Sequence, residues 1–100
     1  MAITRINQFQ ASSGNEENMQ LFLLSLVPYI SGSPGCISCE VLRNDDNPSQ
    51  CIVLERWESK DAHRASVANF PQKDMHAAMV LFTTSPQGWY YSPVAEQAAI

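Results

Sequence analysis

Positive charge is scarce in this chain. Six Lys and Arg stand against ten Asp and Glu in 100 residues, for a net charge of −4. Nucleic acids and anionic membranes are held by clustered cations, so neither is an expected partner. No apolar run is long. Leu21–Ile30 is the longest and is interrupted by Ser25 and Pro28, well short of the roughly 20 residues a membrane-spanning helix needs. The opening MAITRINQFQ lacks the basic-then-apolar order of a secretory signal, and a cytoplasmic location is expected. Three cysteines, Cys36, Cys39 and Cys51, are too few and of the wrong parity for a disulfide framework. Only four glycines are present, and none falls in a nucleotide-binding fingerprint.

What remains is an ordinary globular composition, 45% apolar and 16% charged, with room for one domain over residues 1–100. Alternation over Ala2–Ala11 predicts a strand with Ile3, Arg5, Asn7 and Phe9 on one face. Ser13 precedes Glu16 at capping-box spacing. Met19, Phe22, Leu23, Leu26, Val27 and Ile30 then form a helical stripe, which Pro28 is expected to kink or stop. Cys36–Arg43 and Cys51–Glu58 read as a hairpin joined by the turn-rich Asn44–Ser49. Ser59 suits an N-cap for a short helix over Ala62–Asn69, and Pro71 suits the first position of another. That last helix would carry Met75, Ala78, Met79 and Phe82 at i, i+3, i+4 and i+7. Ser85-Pro86-Gln87-Gly88 breaks it, and Trp89-Tyr90-Tyr91 reads as a final strand.

Strand, helix, strand, strand, helix, strand is an α+β order, the ferredoxin-like split βαβ arrangement with a four-stranded antiparallel sheet. Its helices cover one face. On the other, Ile6, Ile52 and Leu54 need a second cover, which a symmetric copy would supply. Burying on the order of 1,000 Å² of apolar surface at about 25 cal/mol per Å² would drive such a dimer. An obligate homodimer is therefore expected. The spacing Cys36-x-x-Cys39 on a regular strand places the two thiols on opposite faces, so neither a metal site nor a redox pair is expected, and the three cysteines read as small buried hydrophobes.

Pro34-Gly35-Cys36, Asn47-Pro48, Glu55-Arg56-Trp57-Glu58-Ser59 with Ala62, and the closing Tyr91-Ser92-Pro93-Val94 resemble the antibiotic biosynthesis monooxygenase family. The resemblance covers nearly the whole chain. It implies a dimeric α+β barrel, and an activity among cofactor-free oxygenation of polycyclic phenols, quinol oxidation, haem degradation and isomerisation of small signalling molecules. The leading expectation is a monooxygenase-like oxidoreductase, without metal or other cofactor, acting on a small aromatic phenol or hydroquinone. Trp57 matches the family tryptophan that lines the cavity in phenol-oxidising relatives. Val53 stands where those enzymes carry an asparagine, and Ser66 where many relatives carry a histidine. His63 falls where some relatives place a pocket tyrosine, and its ordinary pKa makes it the first choice of general base. Asn7, Arg64 and Tyr91 are candidate orienting donors. Phe9, Met75 and Met79 are candidate walls, and Glu55 shares a strand face with Trp57. Asn7 and His76 together resemble the haem contacts of the haem-degrading relatives, so a haem-binding protein is the alternative, and a non-catalytic ligand-binding module a third. The plainer reading of His76 is a solvated residue beside the Met75–Met79 stripe.

Overall fold

The computed structural model describes residues 2–95. Strand β1 (Ile3–Gln10) leads into helix α1 (Glu16–Ser31), then β2 (Cys36–Arg43), β3 (Gln50–Trp57), α2 (Lys60–Asn69), α3 (Gln72–Ala78) and β4 (Gln87–Tyr91). A 3-10 turn, Met79–Leu81, follows α3. The sheet order is β2-β3-β1-β4, and every neighbouring pair is antiparallel. This is the ferredoxin-like topology expected from the element order. Among the described residues no helix is long and apolar enough to cross a membrane.

Parity along β1 and β3 sets which side chains face the helices. Phe9, Cys51, Val53, Glu55 and Trp57 are buried on that side; Met19, Leu23 and Leu26 of α1 pack with Phe9, Cys51 and Val53, and His63 of α2 meets Trp57. Ser59 caps α2, its hydroxyl accepting from the Ala62 N–H at 3.1 Å. Gly35 has φ +86°, and a Cβ there would lie 2.6 Å from the Cβ of Ala62. Glycine is thus required both for the left-handed turn and for the close seating of that loop on α2.

Several local expectations are corrected. The capping box does not form: Asn15 is the N-cap of α1 and makes no side-chain cap bond, and Ser12 instead holds the turn by accepting from Asn15 at its carbonyl and its hydroxyl. Pro28 neither stops nor ends α1, which runs on to Ser31. The carbonyl that loses its partner belongs to Leu24, and Leu24 and Pro28 lie on the exposed side, where water can replace the bond. Helix α3 ends at Ala78, four residues short of Phe82. Phe82 reaches the core from extended backbone, its ring 5.4 Å from that of Phe9. Gln87 and Gly88 belong to β4, paired with Gln8 and Asn7.

The largest departure lies in β2. Cys36 pairs with Trp57, Ser38 with Arg56 and Cys39 with Glu55, so one residue is inserted and the strand bulges. The bulge returns Cys36 and Cys39 to one face, that of Glu55 and Trp57, instead of opposite faces. Both are half-buried, and Cys51 alone of the three is fully buried. Burial and the nearby Glu55 charge push Cys39 up to about 12, so it is a thiol rather than a thiolate at neutral pH. Among the described residues no group of three or more His, Cys, Asp or Glu side chains is placed to hold a metal ion.

The opposite sheet face is bare in the single chain. Ile6 stands between Leu54 and Trp89, and Leu42 beside Ile52. Trp89, Leu42 and Tyr91 are 43%, 40% and 50% exposed.

Candidate functional site

Between the helix-facing side of the sheet and the helices lies a cavity of about 410 Å³. Its apolar walls include Phe9, Leu26, Val53, Phe70, Met75 and Met79, and its polar lining includes Arg5, Asn7, Glu55, His63 and Ser66. Period-two alternation explains the polar set. Arg5 and Asn7 of β1 stand opposite Glu55 and Val53 of β3, all pointing to the same side.

Glu55 is the centre of the polar set. It is 4% exposed. Asn7 Nδ2 donates to its Oε2 at 2.8 Å, and the indole Nε1–H of Trp57 donates to its Oε1 at 2.8 Å. The amide orientation of Asn7 is fixed by its neighbours: Arg5 Nε–H can only donate, and does so to Asn7 Oδ1 at 3.0 Å, which turns the amide NH₂ toward the carboxyl. Burial raises the Glu55 pKa, and the bond from Trp57, the charge of Arg5 and the bond from Asn7 offset only part of that rise.

His63 forms a second unit. Its Nδ1 is 2.7 Å from the Tyr90 hydroxyl, and its ring meets those of Trp57 and Tyr90 edge-on at 5.5 and 5.3 Å. Burial first, and then the charges of Arg5 and Arg64, lower its pKa to about 4. His63 is therefore neutral at pH 7 and a weaker base than its ordinary pKa suggests. Of the groups lining the cavity, Glu55 is the one whose environment moves it toward neutrality as a base.

The cavity thus gathers Asn7, Phe9, Glu55, His63, Met75 and Met79 from the sequence candidates. The others lie elsewhere. Trp57 is wholly buried beneath the carboxyl and is not a cavity wall. Arg64 projects from α2, 62% exposed and 3.6 Å from Asp61. Tyr91 has the opposite parity, beside Thr4 on the bare face. His76 is exposed and outside the cavity that Asn7 lines. Haem iron needs an axial side chain facing its pocket, and the structure does not bring His76 into the cavity with Asn7. Sequence reasoning missed Arg5 and Tyr90. Tyr90 carries no signal that separates it from Tyr91 until the pairing of Arg5 with Tyr90 fixes the parity. Ser66 ties the helices together: its hydroxyl is 3.0 Å from that of Ser33, and its carbonyl accepts from Tyr29 at 2.7 Å.

The antibiotic biosynthesis monooxygenase family model matches residues 2–78. Among solved structures, PA3566 from Pseudomonas aeruginosa superposes with a TM-score of 0.84 at 16% identity, covering 94% of this chain and 95% of that one. Rv0793 from Mycobacterium tuberculosis gives 0.81 at 18%, covering 98% and 100%. SnoaB from Streptomyces nogalater, a cofactor-independent oxygenase solved as an asparagine-to-alanine variant, gives 0.78 at 18%, covering 95% of each chain. At these identities the likeness is one of fold. No curated protein matches the sequence.

Proposed function

The chain belongs to the antibiotic biosynthesis monooxygenase family, and from that premise we propose that it oxygenates a small phenol or hydroquinone in the cavity, with no metal or flavin. The observation that carries this reading is Glu55, a buried carboxyl with a raised pKa on the wall of a largely apolar cavity. A base shifted toward the working pH takes a proton more readily. Asn7 and Trp57 hold both carboxyl oxygens in place, which leaves lone pairs for a substrate proton. That the fold neighbour SnoaB is described as a cofactor-independent oxygenase supports the same chemistry.

The step balances without an outside reductant. For an anthrone-type substrate, Glu55 removes a proton from the ring methylene and leaves an electron-rich anion. The anion passes electrons to dioxygen, a carbon–oxygen bond forms, and the proton held by Glu55 returns to the peroxide oxygen to give a hydroperoxide and restore the carboxylate. Loss of water then yields the carbonyl. One oxygen atom stays in the product and the other leaves as water, so the substrate supplies all four electrons. The apolar walls exclude water and leave the anion desolvated and reactive toward dioxygen. Neutral His63, which lines the cavity with its Nδ1 held by the Tyr90 hydroxyl, provides hydrogen bonding near a developing oxyanion.

Oxygen uptake with a panel of anthrones and hydroquinones tests the proposal. Wild type should consume at least one faster than buffer, and Glu55→Gln should lower kcat by about 100-fold or more. No consumption above buffer across the panel refutes it.

We also propose that a second copy covers the bare face of Ile6, Leu54, Leu42 and Trp89 to make a two-sheet barrel. Light scattering at micromolar concentration should give twice the chain mass, and a compact monomer would overturn the barrel.

A further inference from the structure

Half of the six basic side chains gather around one ring. Arg5 Cζ lies 4.7 Å from the centroid of Tyr90, Lys60 Nζ 5.5 Å and Arg64 Cζ 5.6 Å, in a chain with a net charge of −4. Among the described residues the one carboxylate paired with any of the three is Asp61, on the solvated side of Arg64. Arg5 lines the cavity, and its guanidinium is positioned rather than loose. Asn7 Oδ1 accepts from its Nε, Tyr90 stacks on it, and Gly88 makes room for it. A Cβ on Gly88 would overlap Asn7 Oδ1 and the Arg5 Nη2, and would lie 2.8 Å from Arg5 Cζ. With Nε engaged, the two Nη groups have no hydrogen-bond acceptor among the described residues.

A held, half-buried guanidinium with a free pair of donors is a fork for a planar two-oxygen anion. We infer that the ligand of this cavity is an aromatic acid, its rings against the apolar walls and its carboxylate on the Nη pair of Arg5. Lys60 and Arg64, gathered on the same Tyr90 ring as Arg5, add positive potential that draws the acid in. Asn7 separates the two ends of the polar wall: the acid group sits on its Arg5 side, and the group that loses a proton on its Glu55 side. This deepens the reading of the cavity as a ligand site, and it rests on that reading.

Calorimetric titration needs no turnover and separates the two. The probes are benzoate, 1-naphthoate and anthracene-9-carboxylate, each against its neutral carboxamide. At least one acid should bind wild type about 10-fold or more tighter than its amide, as expected for charge-assisted hydrogen bonds. Arg5→Gln should remove that preference while leaving the amide's affinity unchanged, which also shows that the fold survives. Lys60→Gln with Arg64→Gln, both on the surface, should weaken the acid severalfold and reduce its salt dependence. Equal binding of acid and amide, or a preference that survives Arg5→Gln, overturns the acid inference alone. Binding of neither class overturns the cavity as the ligand site and this inference with it.

Discussion

Replacing His63 by Gln should change how folding stability depends on pH. In the folded chain the imidazole is buried against Trp57 and Tyr90 with Arg5 and Arg64 nearby, and its pKa falls to about 4 from the usual 6.5. Between these values the unfolded chain binds a proton that the folded chain refuses. Stability therefore rises with pH across this window and is lost as pH falls through it, with the loss complete below about pH 4. The window spans about 2.5 pH units, and at about 1.4 kcal/mol per unit the most this group can cost is about 3 kcal/mol. Glu55 works in the opposite sense. Its raised folded pKa means the folded chain takes up a proton first, so stability gains as pH falls from the folded value toward the unfolded one, about 4.3. The sum of the two is not diagnostic, but the difference between variants is. Gln offers Tyr90 a hydrogen-bond partner and does not titrate. Urea unfolding at fixed protein concentration, from pH 7.5 to 4, should show wild type losing up to about 3 kcal/mol more than His63→Gln. Parallel curves for the two proteins would refute the assignment of a depressed pKa to His63.

Other perturbations read the same network. Trp57→Phe keeps the ring buried but removes the donor to Glu55 Oε1; a bond to a charged group is worth about 1.5–3 kcal/mol, so the Glu55 pKa should rise by about 1–2 units in carbon-detected NMR, and an unchanged titration contradicts the bond's role. Gly88→Ala should displace Arg5 rather than the backbone and cost about 1 kcal/mol through the lost bond to Asn7; a double-mutant cycle with Arg5→Ala should be non-additive, and strict additivity would count against the contact. Leu54→Arg places a charge in the middle of the bare face and should shift light scattering from dimer to monomer mass; an unchanged dimer would move the interface elsewhere.

Parity made much of this site legible beforehand. The alternation of β1 put Arg5, Asn7 and Phe9 on one face, and that of β3 put Val53, Glu55 and Trp57 on one face, as the structure has them. Ser59 as a cap was equally plain, because serine at that position has a single local task. What the sequence could not convey was contact between elements. The bulge in β2 leaves no compositional mark, yet it reverses the relation of Cys36 to Cys39. Tyr90 and Tyr91 are identical residues whose places depend on which one pairs opposite Arg5. Trp57 reads as a pocket wall through its resemblance to the family tryptophan, but its burial makes it the support of Glu55 instead. The base itself was hidden because pKa values belong to environments: burial weakens His63 and strengthens Glu55.

Everything proposed for this cavity turns on Glu55 receiving the substrate proton between sheet and helices. A crystal soaked without oxygen in the hydroquinone or anthrone that supports the fastest oxygen uptake tests it most directly. The ionising group of that molecule should lie within about 2.6–3.2 Å of a Glu55 carboxyl oxygen, or one water away from it. A ligand seated on the other face of the sheet, or in the cavity with its ionising group turned away from Glu55, would contradict it.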